Sequence, residues 1–156
     1  MPLSSPAPQA NEQGFFLSFD KELLQLDAIH GFLTETYWAK GIPRQVVARA
    51  IEHSLCVGVY HMKKQAGFAR VITDYTTFAY LCDVFVLEPY RGNGLSKWMV
   101  QTFRDHPELQ GLRRWMLATQ DAHSLYAQLG FEPLPQPERF MQLHTPNMYQ
   151  KQKQST

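Results

Sequence analysis

The chain has 156 residues, of which 44% are hydrophobic and 13% aromatic. Its length lies within the ~100–200 residues of one ordinary domain, and its apolar share excludes a disordered polymer. Lysine and arginine total 15 against 14 acids, a net charge of +1, which gives no electrostatic footprint for nucleic acid or for an anionic membrane.

The first residues, "MPLSSPAPQANEQG", have neither the basic start nor the apolar centre of a signal peptide, and they read as a flexible tail over 1–13. No apolar run approaches the ~20 residues of a membrane helix. A strand is expected at Phe15 to Phe19, with Asp20 placed to cap a helix carrying Leu23, Leu26, Ile29 and Leu33 up to Tyr37 and Trp38. Gly41 and Pro43 end that helix and open a second, with Val46, Val47, Ala50 and Ile51 on it. Three β-rich runs follow, "SLCVGVYHM", "QAGFARVITDY" and "TFAYLCDVFVL", separated by a Lys-Lys-Gln turn and by Thr76 and Thr77. Such short separations favour antiparallel hairpins.

Leu95, Trp98, Met99, Thr102 and Phe103 share one face of the next helix, and "LRRWMLAT" is a strand beyond it. A strand, helix, strand order points to a right-handed parallel crossover. A short helix in "DAHSLYAQLG" ends at Gly130, and "FEPL" and "ERFMQLH" are two further strand candidates. The chain therefore reads as one α/β domain, 14–145, on a mixed sheet, with a polar tail over 146–156. Cys56 and Cys82 have neither metal-ligand nor disulfide-framework spacing and are taken as reduced, with the cytoplasm as default compartment. His30, His53, His61, His106, His123 and His144 show no ligand spacing either, so no metal is inferred.

The stretch "VFVLEPYRGNGLSKWMV" aims a strand at the start of a helix. A first helical turn has unpaired N–H groups and the positive end of the peptide dipole, both of which favour a phosphate. Gly92 and Gly94 let the backbone come close to an anion, and Arg91 adds charge; the plain alternative is a tight turn. Lys97 stands where a dinucleotide fingerprint needs its third glycine, and the P-loop pattern is absent.

In Arg91, Gly94 and Ser96 the loop resembles the R/Q-x-x-G-x-G/A motif of the GNAT superfamily of N-acetyltransferases. Downstream, Ala122, Leu125, Tyr126, Gly130 and Phe131 are similar to that family's Ala-x-x-Leu-Tyr helix ending in Gly-Phe. The resemblance covers roughly 15–144 and implies a GNAT-like fold: a mixed central sheet flanked by helices, with a splayed parallel strand pair for acetyl-CoA. It implies that Val84, Phe85 and Val86 pair with the pantetheine arm and that Arg91, Gly92, Asn93, Gly94, Leu95 and Ser96 cradle the pyrophosphate. Ser96 stands where glycine or alanine is usual, and Thr119 where many members have an asparagine that bonds the cofactor arm.

The same resemblance gives Tyr126 the role of proton donor to the departing thiolate, which suits a phenol of reference pKa ~10. For the base, Asp83 interrupts an apolar strand and Asp74 closes the one before; Asp83 pairing with Arg70 is the structural alternative. Tyr37, Trp38, Tyr75 and Tyr80, with Asp74, are the residues expected to meet the acceptor, an amine of unspecified identity. The expected activity is direct transfer of an acetyl group from acetyl-CoA to a primary amine. A non-catalytic acyl-CoA sensor and a structural homodimer built on the late strands stay open beside it.

Overall fold

The computed structural model describes residues 5–150. Six strands form one sheet in chain order: β1 (Gln9–Ala10), β2 (Phe15–Ser18), β3 (Leu55–His61), β4 (Lys64–Thr73), β5 (Phe78–Val86) and β6 (Arg114–Leu117). The first five are antiparallel to their neighbours, whereas β6 runs parallel to β5. Helices α1 (Leu26–Leu33) and α2 (Arg44–Glu52) precede β3, α3 (Leu95–Arg104) makes the crossover from β5 to β6, and α4 (His123–Ala127) follows.

Alternation along the strands divides the core between the two sheet faces. Cys56, Phe68 and Phe85 point toward Ile29, Leu33 and Val47 of α1 and α2. Val57, Val59, Ala69, Val71 and Leu81 point toward Leu95, Met99, Val100 and Phe103 of α3 and Tyr126 of α4. Every strand from β3 to β5 is thus covered on both sides, which explains its nearly continuous apolar sequence.

Four expectations change. The single helix from Leu23 to Trp38 is a 3-10 turn, Lys21–Leu23, capped by the Asp20 side chain, followed by the shorter α1. Gln25 and Gln65 cause the late start: each side-chain carbonyl accepts from the other's backbone N–H at 2.9 and 3.0 Å, pinning the chain to β4. After Leu33 the hydroxyl of Thr36 donates to Leu33 and accepts from the N–H of Ala39, so Tyr37 and Trp38 ride on a loop.

The β3–β4 turn falls at Met62 and Lys63, with φ of 50° and 69°, the left-handed pair that a two-residue hairpin needs. Within the stretch read as a tail, Gln9–Ala10 pair with β2, and the Asn11 side chain accepts from the N–H groups of Gln13 and Phe15. Residues 1–4 and 151–156 lie outside the described residues. Finally, "FEPL" and "ERFMQLH" join no strand; Pro133, Pro135 and Pro137 withhold N–H donors and keep this segment off the sheet.

Phe103 is fully buried between α3 and the sheet and meets Phe19 edge-on at 5.5 Å. Phe103→Ala is expected to cost ~3–5 kcal/mol, read as a lowered denaturant midpoint at unchanged slope.

Candidate active site

The strands β5 and β6 are in register from Phe78 against Arg114 to Leu81 against Leu117, and then they part. The cause lies on the other edge of β5. Phe68 and Arg70 of β4, two residues apart, face Phe85 and Cys82 of β5, three apart. The extra residue makes a β-bulge, and Asp83 within it has φ of 53°. A bulge bends its strand, so the end of β5 swings from β6 and a cavity of about 750 Å³ opens between them.

Asp83 is held from two sides. One carboxylate oxygen accepts from Arg70 Nε and the other from Trp38 Nε1, both at 2.9 Å, while Arg70 also donates to Ser54 Oγ at 3.0 Å. The Arg70–Asp83 pair is largely shielded from solvent. Of the two roles open for Asp83, the geometry displays the pairing one, since both carboxylate oxygens are taken up by the guanidinium and the indole. The same contact turns Trp38 onto the cavity, edge-on to Tyr37 at 5.1 Å.

Backbone direction follows from the β4–β5 ladder. Leu87 N–H bonds to Ala66 and Phe85 faces Phe68, so by the two-residue period the backbone of Val84 and Val86 faces the cavity edge. Arg91 Nε occupies the carbonyl of Val86 at 3.0 Å. Phe85 turns its backbone the other way and stacks its ring on Phe32 at 4.1 Å, so it supports this edge from beneath and leaves the ladder positions to its neighbours.

Beyond β5, Pro89 sits in a 3-10 turn, Glu88–Tyr90, and the loop reaches Gly94, the N-cap of α3. Gly92 and Gly94 have φ of 84° and 71°, with open space where a Cβ would stand. Their role is therefore conformational, as L side chains are strained there. No side chain caps α3, and Asn93 turns its amide back to the carbonyl of Tyr90 at 2.8 Å, so the first-turn amides stay directed outward. Leu95 contributes only its amide, because its side chain is buried in the core. Ser96 and Arg91 line the cavity.

The opposite wall comes from the end of β6 and from α4. Thr119 accepts from the N–H of Ala122 at 3.1 Å, which fixes the start of α4. Tyr126 is buried against Leu129 and Phe131 and also lines the cavity. Burial raises its pKa above the ordinary 10, and the charges of Asp121 and Tyr37 act in the same direction. Its phenol is protonated at neutral pH.

The cavity thus gathers Tyr37, Trp38, Tyr80, Asp83, Val84, Phe85, Val86, Arg91, Ser96, Thr119 and Tyr126. Asp74 and Tyr75 are not among them, because they turn the hairpin at the far end of β5. Asp74 accepts from the N–H groups of Thr76, Thr77 and Phe78 and from the Thr77 hydroxyl, which holds its carboxyl far below the usual carboxylate range. It is a loop cap, and Tyr75, at φ of 63°, packs on the core.

Phe32, Cys82 and Asp121 also line the cavity and carry no signal in the sequence, since a helix face, a strand and a loop hold them separately. Burial pushes the Cys82 thiol up to about 12, against the opposing influence of Arg70, so it is protonated at neutral pH. Among the described residues there is no group of three or more metal-ligating side chains, and no helix is long and apolar enough to cross a membrane.

A mixed sheet with a parallel pair that splays beside an uncapped helix start places a crevice at the strand ends, where open α/β sheets take their ligands. Comparison with known proteins gives the family. The model of the Acetyltransferase (GNAT) family matches residues 21–131, and the chain belongs to that family. A Gibberella zeae protein named "putative acetyltransferase" is 35% identical over 76% of this chain and 80% of its own length. A crystal structure of a "putative acetyltransferase belonging to the gnat family" from Xanthomonas campestris is 51% identical, with a TM-score of 0.85 over 86% of this chain and 96% of that one. A Clostridium acetobutylicum "predicted acetyltransferase with acetyl-CoA" shares the fold at 11% identity, with a TM-score of 0.59 over 83% and 94% of the two chains.

Two substitutions test the electrostatics. Asp83→Ala leaves Arg70 without its carboxylate in a shielded site and is expected to destabilise the fold by ~3 kcal/mol or more, measured by urea denaturation. For Asp74 the folded pKa lies below the ordinary 3.8, so its stabilisation is complete above that pH and is lost as pH falls. In Asp74→Asn the acid limb of the stability profile below pH ~4 is expected to flatten.

Proposed function

We propose that the protein is an N-acetyltransferase that carries an acetyl group from acetyl-CoA to a primary amine while both are bound. The observation that supports this most is the parting of β5 from β6 beyond Leu81 and Leu117, with uncapped helix amides at one end of the opening and Tyr126 on its wall. When bound, acetyl-CoA supplies an acetyl group activated as a thioester.

The chain's own groups divide the remaining work. The cavity-facing backbone of Val84 and the N–H of Val86 offer ladder positions to an amide-bearing arm, as an added strand would find them. The amides from Gly92 to Ser96, at the positive end of α3, suit a pyrophosphate, and Arg91 stands beside them. The Thr119 hydroxyl, already an acceptor, keeps its hydrogen to donate into the cavity. Tyr37, Trp38 and Tyr80 wall the end of the cavity beyond Asp83, where an amine can approach across aromatic faces.

As the nitrogen bonds to the acetyl carbon and the carbon–sulfur bond breaks, the phenolic proton of Tyr126 passes to sulfur. One proton of the incoming ammonium passes to water in the open cavity, both oxygens of Asp83 being taken by Arg70 and Trp38; the second leaves the nitrogen as the amide forms and returns through water to the Tyr126 phenolate. Protonated thiols at buried Cys56 and half-buried Cys82 fit direct transfer in preference to an acyl-cysteine step.

Calorimetric titration with acetyl-CoA is expected to show micromolar binding, weakened at least tenfold in Arg91→Ala and abolished in Gly94→Trp. Tyr126→Phe is expected to keep that binding and to lower kcat on an amine panel by ~100-fold or more. Because the Tyr126 pKa is raised, the wild-type kcat should hold through pH 10 and fall only above it, a limb absent from the variant. No binding by the wild type sinks the reading; binding without thiol release on any amine marks an acyl-CoA sensor.

A further inference from the structure

One charged group in the acetyl-transfer cavity is used neither by the proposed chemistry nor by the packing. Of the residues that line the cavity, Arg91, Asp83 and Asp121 carry charge. Arg91 belongs to the loop before α3, where it binds the carbonyl of Val86, and Asp83 is neutralised by Arg70 at 2.9 Å. Among the described residues Asp121 forms no ion pair and its side chain no hydrogen bond. Glu35 and Lys40, on the loop that carries Tyr37 and Trp38, pair with each other at 3.0 Å and add no net charge. Away from the Arg91 loop, the cavity therefore keeps one uncompensated charge, and it is negative.

That charge selects among acceptors. An amine that also bears a carboxylate or a phosphate finds no free cation along this part of the cavity and is repelled by Asp121, whereas a second positive group is attracted. The aromatic wall has the same preference, since ring faces attract cations. Tyr37 and Trp38 stand nearly perpendicular, at 82°, and keep 64% and 45% of their surface exposed. Asp121 lies on the wall formed by the end of β6 and α4, and Tyr37 on the loop after α1, yet the Tyr126 phenol feels the charge of both. The carboxylate and the aromatic corner thus flank the group that serves the leaving sulfur.

We propose that the acceptor is a diamine or polyamine, one amine of which attacks the acetyl carbon while a second, still protonated, is held by the Asp121 carboxylate and the ring faces of Tyr37 and Trp38. This rests on the acetyl-transfer reading and narrows its substrate class. Acetylation turns one ammonium into an uncharged amide with release of the thiol and one proton, and the second ammonium passes through the reaction unchanged. An exposed ion pair and a cation–π contact together give a preference of about tenfold over an amine without the second charge.

The test is thiol release with cadaverine, pentylamine and ω-aminovalerate, five-carbon primary amines that end in an ammonium, a methyl and a carboxylate. The expected kcat/KM is about tenfold higher for cadaverine than for pentylamine and lowest for ω-aminovalerate, with the spread narrowing as salt screens the charges. In Asp121→Asn the ratio of cadaverine to pentylamine is expected to fall toward unity through KM. Calorimetric titration of cadaverine into the protein in the presence of CoA should show the same loss of affinity in the variant. Equal wild-type rates for cadaverine and pentylamine, or a ratio that survives the variant, overturn the inference and leave acetyl transfer standing. Failure of that underlying reading shows differently, as no thiol release with any amine; the titration then decides, since cadaverine binding weakened in Asp121→Asn supports the site and unaltered or absent binding overturns it.

Discussion

The site depends on one carboxylate in a strained place. Asp83 adopts a left-handed backbone that costs a non-glycine residue ~1–2 kcal/mol, and it is held there by charge-assisted bonds of ~1.5–3 kcal/mol each. Remove the bulge, and β5 would continue in register with β6; the cavity would close into ordinary sheet. Arg70 on β4 and Trp38 on the loop after α1 both reach this residue, so the bend is fixed from the sheet and from the helical layer at once. What resembles a misplaced polar residue in an apolar strand is the part that makes the strands diverge.

The rest of the fold keeps that divergence from spreading. Helix α3 lies on one face of the sheet with Met99, Val100 and Phe103 fully buried, and Phe32 stacks on Phe85 from the other. With both faces of β5 packed, the bend stays confined to the 82–86 end, next to the loop whose glycines turn the chain into α3. Arg91 then closes the junction by binding the carbonyl of Val86. Backbone amides, a bent strand edge and a positive charge are thus gathered within a dozen residues of sequence.

That compactness explains what could be read in advance. The loop from Arg91 to Ser96 and the helix containing Tyr126 are local patterns, with spacing set by one turn and one helix, and they were legible as letters. Antiparallel β3, β4 and β5 were legible for the same reason, since their turns are short. Asp74, which closes one apolar run, and Asp83, which interrupts the next, both read as candidate bases; only the ladder shows that one turns a hairpin and the other a bulge. The reciprocal clamp of Gln25 and Gln65 joins residues 40 apart, and no periodicity announces it. The late strand candidates had apolar residues that favour a strand, but prolines at 133, 135 and 137 withhold the N–H donors that a ladder needs.

Tyr126 shows why a core reading and a chemical reading of one residue need not compete. Its ring packs with Leu129 and Phe131, and this burial raises the pKa of its hydroxyl. A more exposed tyrosine would keep a lower pKa but lose fixed orientation, and in the proposed role of proton donor placement comes before acidity. The packing that makes Tyr126 resemble filler is what holds its proton in place at the cavity wall. Since α4 is only five residues long, that placement comes from its ends: Thr119 fixes the start, and the Arg104 guanidinium binds the carbonyl of Leu129 just past the finish. Helix α3 therefore supplies the loop amides at its first turn and, through Arg104 at its last, steadies the residue across the cavity from them.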